Sequence, residues 1–555
     1  MDLRIGGGKG EAVNVFGPAT QEVVNQVPPL QGYDAFAADP WLRAAAHRAG
    51  VTDIARRASL LGAFVGSAQA QHHATLANRY TPELRTHDPA GRRIDAVEYH
   101  PSYHVLMRHA YEAGLHSLAW KRESGGFAAR AALFYLWNQL EQGTACPVTM
   151  TFASIAVLGH APALERDWRP RVLADAYDTR QLPLHRKQAV TLGMAMTEKQ
   201  GGSDLRAVRT LAVADGSAYR LTGHKWFCSA PMSDGFFTLA RLDDGVTCFL
   251  VPRSLPDGER NTFLIQRLKE KCGNRSNASA EVEYRDTAAW IVGEPGRGIA
   301  TLIGMAHHTR FDIVVGVAGM MRSALNQALH HALHREAFGK RLVEQPLMAN
   351  LLADLALEAE AALLLAFRLA AAFDAASKDA GEAELQRALT PIAKYWLCKR
   401  MTSVAVEAIE CLGGNGYVEE GPLARLYREA PLNGIWEGSA NVICLDALRA
   451  LARSPGALAA LEAEIGDAAG AEGRARFEWA ARALAQPEAQ GQARAIVETL
   501  ALCVQAALMR RHAASRAADA FHESRIAWRG GGAFGTLRTE VAGVAALVER
   551  ARLEV

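Results

Sequence analysis

The chain has 555 residues, of which 49% are hydrophobic, 22% charged and 7% aromatic. That is an ordinary globular composition, with room for roughly three to four domains, and it excludes disordered, collagen-like and small disulfide-stapled classes. The formal net charge of +2 gives no global pull toward nucleic acid or an acidic membrane, so any such binding has to come from a local patch.

Residues 1–40 are rich in Gly, Pro and Gln, and NQVPPLQGYDAF reads as an extended arm lying on another surface. The first dozen residues, MDLRIGGGKGEA, contain no apolar run of the secretory type. Residues 41–185 are expected to form a helical domain, with apolar positions at three- and four-residue spacing. Asp39 and Pro40 supply an N-cap and a first-turn proline for its first helix. Residues 186–295 are expected to form a β domain. AYRLTGHKWF, GFFTLARL, GVTCFLVP, NTFLIQRL and AEVEYRD read as short strands between DG, DDG and PDGER turns. From 296 to 453 the pattern is helical again, and Pro346 and Pro391 stand where helices should begin. SPGAL (454–458) marks a boundary to Ala-rich, Arg-containing helices over 454–555. This order is that of an α+β multidomain chain rather than alternating βαβ units.

The apolar stretch AALLLAFRLAAAF carries Arg368 and falls short of the ~20 residues a spanning helix needs. The eight cysteines include no CxxC pair, which points to reduced, mostly buried thiols in a cytoplasmic protein. The histidines of His72–His73, His307–His308 and YHPSYH (99–104) lack a ligand-spaced carboxylate partner, so no metal is expected.

Four motifs carry candidate chemistry. GMAMTEKQGGSDLRA (193–207) is expected to be a loop whose glycines and hydroxyls suit a planar, heteroatom-rich ligand or a phosphate. It also reads as a turn-rich connection. GHKWFCSAPMSDG (223–235) offers Trp226 as a shield and Ser229 as a donor for a flat cofactor, or simply a core Trp and a turn Ser. HREAFGKRLVEQP (334–346) places Arg335 near a helix end, where it suits a diphosphate or the solvent. In CLGGNGYVEE the GGNG follows a helix, which is a poor dinucleotide fingerprint. In IWEGSAN, Glu437 is expected at the start of a helix that favours its ionised state.

In this order and spacing the motifs resemble the acyl-CoA dehydrogenases, over about residues 40–450. The resemblance implies a helical N-terminal domain, a middle β-barrel or sandwich, a C-terminal four-helix domain and bound FAD. Glu437 would be the base that removes an α-proton while the flavin takes a hydride, with Arg310 beside it. Met196, Thr197, Gly202, Ser203, Trp226, Ser229, Ser439 and Asn441 would contact FAD. Arg335, Phe338 and Gln345 would reach a partner subunit's FAD, implying a homotetramer.

VNQVPPLQGYDAF, CGNRSNAS and REAPLNGIWEGSANVICLD narrow the resemblance to a branch tied to the bacterial response to DNA alkylation, with an N-terminal arm and an extra C-terminal helical domain. It implies DNA binding by the Arg-rich tail, where Arg449, Arg510, Arg511, Arg525 and Arg529 are the candidates for duplex phosphates. The alternatives are a short- or branched-chain metabolic dehydrogenase without DNA binding, and a tail that is merely a solvated surface.

Overall fold

The structure, a computed structural model, describes residues 23–528, 532–537 and 541–554. The first half of the expected arm and Arg529 lie outside the described residues.

The arm that is described lies on the rest of the chain. Pro28 O accepts from His330 Nε2 at 2.8 Å, and Asn25 exchanges hydrogen bonds with the Glu336 backbone, 2.8 Å in each direction. Asp39 then caps helix Pro40–Arg48 by accepting from the Trp41 and Leu42 N–H groups. Its carboxylate also takes the buried guanidinium of Arg322, so one side chain ends the arm, starts a helix and anchors both to the core.

The first domain is not wholly helical. Between helices Ala68–Arg79 and Pro101–Glu112, strands Glu83–His87 and Arg93–Glu98 form an antiparallel hairpin. Their alternating exposure is a period-two signal hidden among charged residues. Buried Asp95 accepts from Ile265 N at 3.0 Å and pairs with Arg93 and Arg260, fastening the hairpin to the middle domain.

The middle domain is a closed barrel. Strands Gly235–Leu242, Gly245–Pro252, Ser279–Val292, Ala218–Ser229 and Leu211–Asp215 pair in that order, and Leu211 meets Arg241 to close the ring. Leu192–Ala195 adds in parallel to Gly235–Leu242, and Phe263–Leu268 adds to Ser279–Val292. Phe236, Phe249, Phe263 and Tyr284 fill the interior. Closure removes the exposed edges that would otherwise invite aggregation.

Helices Gly298–His334, Pro346–Ala375, Ala380–Leu412 and Ala440–Arg453 pack behind the barrel, with Leu423–Asn433 between the last two. Pro346 opens its helix. Pro391, in contrast, lies inside Ala380–Leu412. The bond its missing N–H forgoes is outweighed by packing on the neighbouring helices. Helices Pro455–Ile465, Gly470–Leu484, Ala493–His512 and Ser515–Phe521 then share one apolar core with the preceding helices. No helix among the described residues is long and apolar enough to cross a membrane. Seven of the eight cysteines are buried, and Cys272 is exposed.

Candidate active site

The chain leaves the barrel at the end of strand Leu192–Ala195, where Ala195 O accepts from the Thr238 hydroxyl at 2.8 Å. The motif expected to be all loop therefore begins as a strand, and its loop starts at Met196. Thr197 O accepts the Trp226 N–H at 2.8 Å, which joins the first two motifs. A Cβ on Gly202 would lie 2.4 Å from Thr197 Oγ1, so the loop folds back on itself only with glycine there. Met196 and Thr197 are half-buried, and Ser203 is exposed.

Below this loop, buried Glu198 meets buried Lys225 at 2.8 Å and also accepts from Thr210 and from the Arg209 N–H. Burial pushes the carboxyl up, but Lys225 and these donors prevail and hold it at about 2. The Glu198–Lys225 pair locks the loop to the strand that bears Trp226.

That strand is bulged between Lys225 and Cys228. With two residues in the bulge, both Trp226 and Phe227 point outward, and Phe227 is 52% exposed. The sequence singled out Trp226 and passed over Phe227, because strict alternation would have put the two on opposite faces. Lys269 Nζ stands 3.4 Å from the Trp226 ring centroid, a cation–π contact. Ser229, at the strand's end, lies 3.4 Å from the Ser279 hydroxyl.

Glu437 is not in the first turn of a helix. The Pro-Leu-Asn segment forms the last turn of helix Leu423–Asn433, and the next helix, Ala440–Arg453, begins only after Ser439. Between them Glu437 has φ 58° and Gly438 φ 109°. A left-handed glutamate is costly and persists only where its surroundings impose it. Two cations impose it here. Arg310 Nε donates to Glu437 O at 3.0 Å while its Nη2 binds Asp446 at 2.9 Å. Lys394 Nζ donates to Gly438 O at 2.6 Å. Arg310 is therefore a positioning residue: it grips the Glu437 backbone and not its carboxylate.

The Glu437 side chain points inward. Its Oε2 is shielded from solvent and has no hydrogen-bond partner among the described residues. Burial pushes its pKa up, against the pull of Arg310, the adjacent Thr309 hydroxyl and Lys394. The Glu437 N–H likewise makes no hydrogen bond within the described chain. Cys146, near the start of helix Ala145–Leu158, sits among Ser229, Asn277, Lys271 and Glu437, and burial raises its thiol to about 12. Cys146, from the first domain, is thus near both the end of the Trp226 strand and Glu437.

Ser439 is exposed, and the Asn441 side chain accepts from Arg494 at 2.9 Å. Arg335 and Phe338 lie at the hairpin after helix Gly298–His334, and Gln345 stands at the N-cap of helix Pro346–Ala375. Arg335 donates to Asn25 O, Gln345 to Ala337 O, and Phe338 is 98% exposed. Arg335 is 25 residues beyond Arg310 on the same helical path, or roughly 38 Å at ~1.5 Å per residue. These three side chains do not reach the Glu437 site of their own chain.

The tail arginines differ from a phosphate-binding row. Arg525 is 4% exposed and pairs with Asp354 at 2.6 Å and Glu358 at 3.3 Å. It holds the C-terminal helices to Pro346–Ala375 and does not face solvent. Arg449 pairs with Asp446, Arg510 with Asp519 and Arg511 with Glu464. The histidine pair His307–His308 packs against Phe373, and burial lowers these pKa values to about 3 and about 4.

Residues 25–179 match the adaptive response protein AidB N-terminal domain, 193–287 the acyl-CoA dehydrogenase middle domain and 296–452 the acyl-CoA dehydrogenase C-terminal domain. The chain is 43% identical to the putative acyl-CoA dehydrogenase AidB of Escherichia coli, over 92% of this chain and 95% of that protein. Among solved structures, Caenorhabditis elegans ACDH-11 in complex with C11-CoA superposes with a TM-score of 0.83 at 24% identity, covering 98% of this chain and 94% of that one. An acyl-CoA dehydrogenase from Bacillus anthracis complexed with FAD superposes with a TM-score of 0.61 at 17% identity, covering 81% of each chain.

Proposed function

The chain belongs to the acyl-CoA dehydrogenase family, and on that premise we propose that it is an FAD-dependent oxidoreductase that removes the α-proton of an acyl-CoA thioester with Glu437. The observation that carries this reading is the Glu437 carboxylate, with its shielded, unpartnered Oε2 in a turn held by Arg310 and Lys394.

The residues fit a flavin. The Gly202–Thr197 fold-back, the outward rings of Trp226 and Phe227 and the Ser229 hydroxyl form one wall, and the Glu437 turn faces it. FAD, when bound, accepts the hydride that leaves the β-carbon. This chain's residues supply the rest. Glu437 takes the α-proton as the C–H bond breaks and the α,β double bond forms. A carboxylate is a weak base for a carbon acid, so the thioester oxygen needs a donor. The free Glu437 N–H is that donor. Desolvation strengthens the carboxylate as a base, because its proton affinity rises with its pKa.

Arg335, Phe338 and Gln345 are too far along their helix to serve this site, which supports a role at the flavin of a second copy in a homotetramer. Anaerobic titration with saturated acyl-CoAs of graded chain length tests the function. The yellow absorbance should bleach stoichiometrically with at least one of them, and a flavin that none reduces would sink the reading.

A second reading adds DNA binding in an adaptive response, supported by the likeness to AidB. Arg510 and Arg511 end helix Ala493–His512 beside exposed Arg516. The Arg510–Asp519 pair is a surface pair of small worth that a phosphate can displace, whereas Arg511 reaches the buried Glu464, which Arg368 also holds. Arg510→Ala/Arg511→Ala/Arg516→Ala should weaken duplex retention and flatten its salt dependence. Unchanged retention would remove the tail as the site.

A further inference from the structure

A cavity of about 790 Å3 opens between the three domains, and Lys269, which stands over the Trp226 ring, forms part of its wall. Its walls are the end of helix Ala68–Arg79 with the loop that follows, residues 266–278 of the barrel, and residues 419–428. None of Met196, Thr197, Ser229 or Glu437 lines it, while Lys271 and Asn277, two of the groups around Cys146, do, so it borders the candidate flavin site. We propose that this cavity binds a free nucleotide carrying at least two phosphates.

The charge of the walls favours such an anion. Arg79, Lys269, Lys271, Arg275, Arg425 and Arg428 line it, with Arg267 at its edge, against only Glu270 and Glu419. Lys269 and Arg267 share Glu281, and Arg428 binds Glu419. Arg79, Lys271, Arg275 and Arg425 have no carboxylate within ion-pair distance among the described residues. Arg425 is buried and donates to Leu140 O at 2.9 Å, and Lys271 Nζ donates to Asn277 O at 2.6 Å. Glu141 and Glu429 stand behind them and offset part of the charge.

A buried cation without a close counter-ion is costly unless something else neutralises it. Guanidinium groups bind phosphate oxygens in pairs, and a diphosphate offers enough oxygens for several. Fully buried Asn277 also lines the cavity, and its Oδ1 has no hydrogen-bond partner. It is available to accept from the hydroxyls or the exocyclic amine of a nucleoside. The volume falls within the ~300–1,000 Å3 typical of small-molecule sites. A pit walled on three sides suits one nucleotide better than a continuous duplex.

The test is calorimetric titration of the FAD-loaded protein with ADP, AMP and a short single-stranded oligonucleotide at low salt. ADP should bind, and AMP should bind more weakly by about tenfold or more, the loss of one charge-assisted phosphate contact. Arg79→Ala/Arg275→Ala should weaken ADP by at least about tenfold with FAD content unchanged, while Arg510→Ala leaves ADP binding intact. Arg428→Ala, whose Glu419 partner is exposed, gives an independent second variant should the double one fold poorly. No ADP binding at millimolar concentration, ADP affinity equal in the variants, loss of FAD from them, or a response to the oligonucleotide alone would each overturn the proposal.

Discussion

Glu437→Gln should retain FAD and lose ~10²–10⁴-fold in the rate of flavin bleaching by acyl-CoA, the range expected for removing a positioned general base. Glutamine keeps the size of the side chain and leaves the backbone grip of Arg310 and Lys394 in place. The left-handed turn and the Glu437 N–H therefore survive, and only the proton acceptor is lost. Stopped-flow absorbance under anaerobic conditions measures the effect, and flavin content after denaturation checks that the site is intact. A variant that bleaches as fast as the parent would require another base. Loss of flavin would instead assign the side chain a structural part in cofactor binding.

Arg525→Ala should destabilise the fold by ~3–5 kcal/mol, because Asp354 would be left buried without its cation and Glu358 with Arg400 alone. Urea unfolding followed by tryptophan fluorescence reads this directly. Arg525→Met/Asp354→Leu should recover most of the loss, since removing both members of the closest pair leaves the Glu358–Arg400 pair intact. A single variant as stable as the parent would show that the pair is not what joins the C-terminal helices to Pro346–Ala375. Any fall in DNA retention on mutating Arg525 is expected to follow this unfolding.

The same residue illustrates what the sequence conveys and what it does not. Counting charges between 501 and 538 finds an excess of arginine, but the acids that neutralise Arg525 lie some 170 positions earlier. A local charge count cannot see a partner contributed by a distant helix. Glu437 shows the converse. Its segment was legible because IWEGSAN follows GGNGY at a set distance, yet its backbone was not. The Pro-Leu-Asn stretch looked like a turn and proved to be the end of a helix, so the glutamate sits in a strained left-handed turn where a helix start was expected.

The barrel was legible from its alternating strands, including those that carry Phe236, Phe249 and Tyr284. The hairpin at Glu83–Glu98 was not, because its exposed positions are Glu83, Arg85, His87 and Glu98, which read equally well as helix surface. Phe227 escaped notice for a related reason. A bulge breaks the two-residue period on which the reading of a strand depends.

The most direct test of the account is the pH dependence of the single-turnover rate of flavin reduction by a bleaching acyl-CoA. Burial raises the Glu437 pKa above the ordinary glutamate value of 4.5, so the base is lost to protonation at a higher pH than for a solvated carboxyl. The rate should therefore climb with pH through a midpoint above 4.5, and that limb should vanish in Glu437→Gln. A limb that persists unchanged in Glu437→Gln, or a parent rate that is flat across the acid range, would contradict it.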